Sequence, residues 1–316
     1  MTVLVVGSVA LDSVETPFGA ADGVIGGSAT FFASAASPFT PVRLVGIVGE
    51  DYPVEKLEPL AARGVDLSGL ERAPGASFRW AGRYSHDLNT AETLDTQLGV
   101  FAQFHPKIPE SFRRTPFVFL ANIDPRVQLD VLDQMESPRL VACDTMNFWI
   151  ASRRAELLTL LGRVDLVTLN DGEARQLSER VNLVHAARWI LDRGPRHVVI
   201  KKGEHGAFLF TRRAESGADV AIFFAPAYPL EEIFDPTGAG DSFAGGFMGH
   251  LAATGDLSPA NLRRAVVIGS AMGSFAVERF SNERLLEITP ADIARRVAEF
   301  RSLVALEDAA PDGSGS

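Results

Sequence analysis

Short runs of apolar residues alternate along the chain with longer amphipathic stretches. The runs predict strands at residues 3–6, 42–48, 117–120, 140–143, 164–169 and 198–201. Nearly every position in these runs is apolar, which is typical of parallel strands that are covered on both faces. The intervening stretches, such as residues 125–135 and 184–193, have the pattern of crossover helices. The sequence therefore predicts an α/β fold with a mostly parallel central sheet flanked by helices.

Two regions interrupt this alternation, at residues 13–25 and 77–100. Turn residues, threonines and isolated aromatics replace the apolar runs there, and this predicts short strands outside the main sheet, in a small β lid. Phe78, Trp80 and Tyr84 fall on alternate positions of one such strand, so their rings share one face. That face either covers a ligand, pairs with a second subunit in a homodimer, or packs onto the body of the protein.

The domain organisation follows from the length of the chain and from the positions of turn and helix-capping residues. The 316 residues are 46% hydrophobic, which is enough to build a large core. Because neither a repeat nor a linker divides the chain, we expect one domain over residues 1–306 that carries the lid. Ser258-Pro259 has the order of a helix cap and a first helical residue, and this helix is expected to run to about residue 279. Residues 307–316 are acidic and rich in Gly, Ser and Pro, which predicts a disordered tail.

Charge and cysteine usage exclude several classes of partner. The formal net charge is −10 at pH 7, so the protein offers no positive field to nucleic acid or to an anionic membrane. No apolar stretch reaches the roughly 20 residues that span a bilayer, and no signal peptide is recognisable. Cys143 is the one cysteine, which excludes an intrachain disulfide and a cysteine-built zinc site. We expect a cytoplasmic protein that binds neither nucleic acid nor a membrane.

The most informative motif is Asp-Pro-Thr-Gly-Ala-Gly-Asp at residues 235–241, followed by small and apolar residues. The two glycines around Ala239 allow the backbone to turn tightly, and the run after them predicts a helix that begins near Ala239. Gly238, Ala239 and Gly240 would then form an anion hole at the positive end of the helix dipole. Asp241 lies in the first turn, where it can take the proton of an attacking hydroxyl as a general base.

This motif resembles the C-terminal signature of the ribokinase-like, or PfkB-type, carbohydrate kinases, and the resemblance extends over nearly the whole chain. It implies the ribokinase-like fold and an ATP-dependent phosphotransferase that acts on a hydroxyl of a small sugar or sugar-like molecule. Asp12 matches the acid that holds substrate hydroxyls, and Gly26 and Gly27 match the N-terminal diglycine signature. Taken alone, each match also fits a turn or a helix entry. Their positions after strands place them together at the carboxyl edge of the sheet.

The resemblance also assigns residues to the phosphoryl donor. Asn170 and Glu173 look like the family motif whose Glu holds a water on Mg²⁺, although helix capping explains both residues almost as well. Lys201, Gly203 and Gly206 lie in a segment that matches the family's Gly-rich turn along the nucleotide, and the segment also fits a β-hairpin.

Three further positions follow from the same resemblance. Thr237 is expected to contact the nucleotide, and Asp235 can hold a monovalent cation, K⁺, near the anion hole. Asp144 opens a segment similar to another family motif, in which the Asn is displaced here by one place. The order of all these pieces along the chain agrees with the family.

One departure from the family pattern concerns the acceptor. Members that act on ribose usually carry Asn shortly after the diglycine, whereas this chain has the apolar ring of Phe31. The ring either meets a less polar part of the substrate or turns into the core. With Phe32 and the lid aromatics it could stack a flat ring, so a nucleoside is the alternative acceptor. A catalytically silent ligand-binding protein of the same fold is a second alternative.

Overall fold

The computed structural model of the chain describes residues 1–213 and 220–305. Within these ranges the strands are β1 (Val3–Val6), β2 (Ala10–Thr16), β3 (Gly19–Gly26), β4 (Val42–Gly49), β5 (Val65–Ala73), β6 (Phe78–Tyr84), β7 (Ala91–Gln97), β8 (Phe117–Leu120), β9 (Leu140–Asp144), β10 (Leu166–Asn170), β11 (His197–Lys201), β12 (Ala207–Arg212) and β13 (Val220–Ala225). The helices are α1 (Ser28–Ala36), α2 (Glu58–Ala62), α3 (Pro125–Gln134), α4 (Asn147–Ser152), α5 (Arg154–Leu161), α6 (Asp171–Ser178), α7 (Leu183–Leu191), α8 (Ala239–Thr254), α9 (Pro259–Ala276), α10 (Glu283–Glu287) and α11 (Pro290–Val304). The tail predicted at residues 307–316 lies outside the described residues.

A large sheet forms the body of the protein. Its described strands follow the order β13-β12-β11-β10-β9-β8-β1-β4-β5. Neighbours from β11 to β5 are parallel, while β12 and β13 pair in the antiparallel sense at one end. The strands predicted from apolar runs are all present. The apolar runs miss β5, β12 and β13. Strands β5 and β13 lie at edges of the sheet and are partly exposed, and β12 is half-buried and is expected only from the hairpin interpretation of the segment after Lys201.

Side chains of the central strands alternate between two apolar clusters, one on each face of the large sheet. Val3 and Val5 of β1 pack with residues of α1 and α8, whereas Leu4 and Val6 pack with residues of α5 and α7. All four side chains are fully buried. Burial of one such side chain stabilises the fold by about 1.5–3 kcal/mol, so a strand with two covered faces must be apolar throughout. The prediction of a doubly covered sheet is confirmed.

A second, smaller sheet joins strands in the order β3-β2-β6-β7 and covers nearly the segments predicted for the lid. We refer to it as the lid sheet. Its strands β2 and β6 are parallel, and their register places Asp12 beside Trp80 and Val14 beside Gly82. Asp12 and Val14 are 5% and 1% exposed, which shows that this face is directed at the body of the protein.

Two long helices follow the chemically informative motif. Helix α8 begins at Ala239, as the motif predicts. Helix α9 begins at Pro259, where the Ser258 side chain accepts a hydrogen bond from the Asn261 N–H, and it ends at Ala276, short of the predicted residue 279. None of the helices in the described ranges combines the length and the apolar composition needed to cross a membrane.

The parallel strands present their carboxyl ends at one edge of the large sheet. Asp144 ends β9, Asn170 ends β10 and Lys201 ends β11. The first turn of α8 lies at the same edge, because the Lys201 ammonium reaches Gly240. Ligands of open α/β sheets bind at such an edge, and the fold therefore gathers the predicted site residues where a ligand is expected.

Candidate active site

Asp12 and the diglycine form one compact unit on the lid sheet. The Gly27 N–H donates a hydrogen bond to the Asp12 carboxylate. That carboxylate lies directly on Gly26, where an added Cβ would come within 1.9 Å of Oδ2 of Asp12. Gly27 has φ +93°, and a Cβ there would lie 2.5 Å from the Ser8 carbonyl oxygen. Both positions therefore require glycine, since any larger residue would displace Asp12 or the neighbouring strand.

The Asp12 carboxylate is kept from water and lies in a negative field. Burial, followed by the charge of Asp235, raises its pKa from 3.8 to about 7, against the Gly27 hydrogen bond. Tyr52 is a neighbour that the sequence analysis does not identify. Its side chain is 2% exposed, and its hydroxyl has no hydrogen-bond partner in the described part of the chain. Burial, and then the charge of Asp12, raises the pKa of this hydroxyl.

The unpaired hydroxyl of Tyr52 allows a prediction of how its removal changes thermal stability. A buried polar group without a partner costs about 1–3 kcal/mol, so Tyr52→Phe is expected to raise Tm by about 2 °C. Thermal unfolding followed by circular dichroism measures the shift. Tyr84→Phe is the matched control, because the Tyr84 hydroxyl lies 3.3 Å from Oγ1 of Thr237 and its removal should not stabilise the protein. A lower Tm for Tyr52→Phe would show that the hydroxyl has a stabilising partner in solution.

The loop before α8 is fixed from two sides. Oδ1 of Asp235 accepts a hydrogen bond of 2.8 Å from the Thr237 N–H, and Oδ2 accepts one of 3.0 Å from the Ser281 N–H. Gly238, the N-cap of α8, has φ +74°, and a Cβ added to it would lie 2.3 Å from Cγ of Phe31. Phe31 is 2% exposed, so its ring turns into the core and supports the loop from behind.

The backbone N–H groups of this loop are not equivalent. The Ala239 N–H donates to the Pro236 carbonyl oxygen at 3.2 Å, and the Asp241 N–H interacts with its own carboxylate. The N–H groups of Gly238 and Gly240 have no such partner in the described part of the chain. Because the first N–H groups of a helix lack intrahelical acceptors, these two can receive an anion at the positive end of α8.

Lys201 brings a full positive charge to the same place. Its Nζ forms an ion pair of 2.8 Å with Oδ2 of Asp144, and both side chains are largely buried. Nζ lies only 2.9 Å from the point where a Cβ of Gly240 would be. Burial alone would lower the pKa of Lys201, but Asp144 and then Glu173 outweigh it, so the pKa is raised. The ammonium therefore stays charged beside the loop at residues 235–241.

Asp241 is partly buried in the first turn of α8. Burial, followed by the charge of Asp144, raises its pKa from 3.8 to about 7, and Lys201 opposes the shift. A carboxyl group with this pKa can accept a proton near neutral pH and release it again afterwards. The arrangement thus combines a proton acceptor with a positively charged surround for a transferring anionic group.

Asn170 and Glu173 have a structural task of their own at the start of α6. Oδ1 of Asn170 accepts a hydrogen bond of 2.8 Å from the Glu173 N–H, and Oε2 of Glu173 accepts one of 2.7 Å from the Asn170 N–H. This reciprocal pair is a capping box. Burial, and then the charge of Asp144, raises the pKa of Glu173 to about 7. The charge of Asp241 also raises this pKa, so the two acids interact electrostatically.

The segment after Lys201 is a tight hairpin turn between β11 and β12, as one of the two interpretations predicts. Gly206 closes it with φ +97°, and a Cβ there would lie 2.1 Å from the Ala225 carbonyl oxygen. The lid reaches this turn, because Nδ2 of Asn89 lies 3.4 Å from Oε1 of Glu204 and Oδ1 of Asn89 lies against Gly203. The lid therefore contacts the predicted nucleotide side of the site as well as its acceptor side.

Some residues of the site escape sequence reasoning for identifiable reasons. Ser281 and Tyr52 reach the site from loops that carry no motif, and only the fold brings them there. Phe31 is noticed for its unusual side chain, but its contact with Gly238 requires the packing of α1 against α8. Asp144 is noticed as part of a motif, while its ion pair with Lys201 depends on the pairing of β9, β10 and β11.

Comparison with known proteins places this geometry in a family. The model of the pfkB family of carbohydrate kinases matches residues 24–287. The chain belongs to this family. Kinases of this family act on sugars or nucleosides, and the chain is accordingly a carbohydrate or nucleoside kinase.

Individual relatives support the family assignment. Over 254 residues the chain is 31% identical to the cytidine kinase of Thermococcus kodakarensis, covering 78% of this chain and 87% of that protein. Its fold matches a nucleoside kinase of Methanocaldococcus jannaschii, an archaeal member of the ribokinase family, with TM-score 0.74, 20% identity and coverage of 94% and 98%. It also matches an E. coli protein assigned as ribokinase II, in complex with ATP and Mg²⁺, with TM-score 0.76, 19% identity and coverage of 94% and 99%. The predicted ribokinase-like fold is confirmed.

Proposed function

We propose that the protein is an ATP-dependent nucleoside kinase that phosphorylates a ribose hydroxyl. The observation that carries the kinase chemistry is the position of the Lys201 ammonium beside Gly240 at the start of α8. Asp241 lies in the same first turn, and the N–H groups of Gly238 and Gly240 have no backbone acceptor in the described part of the chain. The 31% identity to a cytidine kinase supports a nucleoside as the acceptor, in preference to a free sugar. Asp12 would hold hydroxyls of the ribose against the diglycine.

The reaction assigns each group a defined task. The acceptor oxygen forms a new bond to the γ-phosphorus of ATP while the bond between that phosphorus and the ADP oxygen breaks. The proton of the acceptor hydroxyl passes to Asp241, and ADP leaves with the electron pair of the broken bond. Lys201 and the N–H groups of Gly238 and Gly240 stabilise the negative charge on the transferring group. Contacts of the lid with the body exclude water that would otherwise accept the phosphoryl group.

The residues present fit a magnesium ion that is held mainly by phosphates and water. Among the described residues, no group of three or more His, Cys, Asp or Glu side chains could hold a metal ion. One oxygen of Glu173 is used in the capping box, and the other has no protein hydrogen bond in the described ranges. Such an acid can orient metal-bound water near the phosphates, where Mg²⁺ neutralises charge when bound.

Four finer assignments stay predictions. Asn170, Gly203, Gly206 and Thr237 are proposed to contact the nucleotide. A K⁺ ion is proposed at Asp235. Both oxygens of this carboxylate already accept hydrogen bonds from backbone N–H groups, so the ion would have to share them. Pairing of two lids in a homodimer and a cytoplasmic location are likewise retained as proposals.

A substrate panel tests the proposed function. Purified protein with ATP and Mg²⁺ is given cytidine, uridine, adenosine, inosine, ribose and fructose, and ADP release is followed. We expect kcat/KM for at least one nucleoside to exceed that for either free sugar by about 10-fold or more, since the base adds binding contacts. Asp241→Asn serves as the catalytic control. Turnover of the sugars alone would replace the nucleoside with a sugar acceptor, and binding without turnover would favour a silent ligand-binding protein.

A further inference from the structure

Five aromatic side chains are candidates for holding a flat ring of the substrate, namely Phe31, Phe32, Phe78, Trp80 and Tyr84. Four of them are committed to other contacts. Phe31 and Phe32 are buried in the core, and the ring of Phe78 stacks on a neighbouring phenylalanine with centroids 5.3 Å apart. The Tyr84 hydroxyl lies against the anion-binding loop. Trp80 is half-buried, and no aromatic ring stacks on it within the part of the chain that the structure describes.

The indole of Trp80 lies over Gly82, on the face of the lid sheet that also carries Asp12. An added Cβ at Gly82 would come within 2.1 Å of Cη2 and 2.4 Å of Cζ2 of this ring, so the ring covers the bare backbone of Gly82. Nε1 donates a hydrogen bond of 3.3 Å to Oγ1 of Thr93 on the next strand. These two contacts hold the ring against the lid sheet, while the side chain as a whole stays half-exposed.

The ring lies beside the acid that is proposed to hold the ribose. Trp80 and Asp12 are register partners on the neighbouring parallel strands β6 and β2, so their side chains project from the same face. Neighbouring strands are about 4.8 Å apart. This spacing suits a molecule whose hydroxyls and flat ring are joined through one sugar, because the hydroxyls can meet the carboxylate while the flat ring lies on the indole.

We propose that Trp80 is the platform on which the base of a nucleoside acceptor stacks while Asp12 holds its ribose. This inference rests on the proposed nucleoside kinase function and adds a specificity-determining residue to it. Every base has a π-face, so stacking alone distinguishes bases poorly. Trp80 therefore sets the preference for a nucleoside over a free pentose, and it leaves the choice among bases to contacts at their edges.

Kinetics of two variants test the platform. Stacking of a base on an aromatic side chain changes affinity by about 10-fold to 100-fold. Trp80→Ala is expected to raise KM for cytidine by that factor, with kcat within about threefold of the wild type and with kcat/KM for ribose unchanged. Gly82→Ala displaces the indole without removing it and is expected to raise KM for cytidine in the same direction. Trp80→Phe retains a stacking ring and should stay close to the wild type.

Fluorescence provides a readout that does not depend on turnover. The chain contains three tryptophans. Stacking of cytidine on an indole quenches its emission, so titration with cytidine should quench the wild type and Trp189→Phe but not Trp80→Phe. Trp189 is a suitable control because its ring lies under the guanidinium of Arg193, at 3.0 Å from the centroid, on α7.

Different results would contradict the nucleoside kinase function and the stacking role of Trp80. If the wild type phosphorylates neither cytidine nor any other nucleoside of the panel, the proposed function is wrong and the platform is wrong with it. If nucleosides are phosphorylated but Trp80→Ala affects cytidine and ribose equally, the ring only packs the lid and the inference is overturned. Quenching that persists in Trp80→Phe overturns it as well.

Discussion

Asp241→Asn is expected to lower kcat for the acceptor by about 100-fold or more, the scale on which a general base contributes. The amide is nearly isosteric with the carboxylate but cannot take the proton of the acceptor hydroxyl. Because the variant keeps Lys201 and the N–H groups of Gly238 and Gly240, the affinity for ATP should change by less than about threefold. ADP release gives kcat, and isothermal titration with ATP gives the affinity.

A first-turn acid elsewhere in the chain provides the control for this variant. Asp292 lies in the first turn of α11, where it forms a capping box with Thr289 and an ion pair with Arg295. Asp292→Asn should lower stability through loss of the cap without lowering kcat. An Asp241→Asn variant that loses ATP affinity and turnover to the same degree would identify Asp241 as a structural residue.

The pH dependence of the reaction provides a second readout of Asp241. Its pKa is raised to about 7, chiefly by burial. Since a general base acts in its deprotonated form, kcat/KM should fall about tenfold per pH unit below pH 7 and level off above it. The carboxyl groups of Asp12 and Glu173 have pKa values in the same range. The assignment therefore depends on the residual activity of Asp241→Asn, which should lose this tenfold dependence.

Gly238→Ala is expected to reduce kcat by about 100-fold, the effect of losing one donor of an anion hole. The new Cβ would lie 2.3 Å from the ring of Phe31, and the residue would also have to adopt φ +74°. The loop can relieve both conflicts only by moving away from the core, and this movement carries the N–H groups of Gly238 and Gly240 out of position. Single-turnover kinetics with saturating ATP measures the loss in the chemical step.

The other end of the same helix provides a matched control. Gly255 caps α8 with φ +64°, and a Cβ there would approach no closer than 3.0 Å, to the flexible end of Met1. Gly255→Ala therefore carries a similar backbone strain of about 1–2 kcal/mol but leaves the loop in place. It should lower Tm and leave kcat unchanged. Full activity in Gly238→Ala would show that the loop tolerates displacement and does not form the anion hole.

A double variant separates the two causes of the expected loss. Adding Phe31→Leu to Gly238→Ala removes ring atoms that the new Cβ meets, and part of the activity should return. The strain of the positive φ would remain, so recovery should be incomplete.

Most of the fold can be predicted from sequence because burial leaves a strong local signal. Strands such as β1 and β8, which are covered on both faces, consist of apolar residues throughout. Strand β5 lacks this signal because it lies at the edge of the sheet, with several exposed side chains. The start of α9 is predicted correctly from its cap, whereas its last turn carries no comparable stop signal and the predicted end is too late.

The sequence predicts the candidate site only in part, because several of its contacts join residues that are far apart along the chain. The loop at residues 235–241 is recognisable because its chemistry is contained in one short segment. The contact of Asp235 with Ser281 and that of Gly238 with Phe31 join segments that are far apart in sequence. Neither contact has a local signature, since serine and phenylalanine occur at many positions where they have no such partner.

The ring of Phe31 behind Gly238 also bears on how this enzyme can diverge. In relatives that act on ribose, an Asn side chain near this position is expected to hydrogen-bond the sugar. Substitution of the residue at this position is therefore an obvious route to a new substrate. Here the same residue supports the loop at residues 235–241 from the core. A mutation that alters selectivity at this position would also impair turnover, and drift toward a different acceptor would require compensating changes in both segments. Laboratory evolution of this enzyme should therefore change its substrate range through the lid before it changes Phe31.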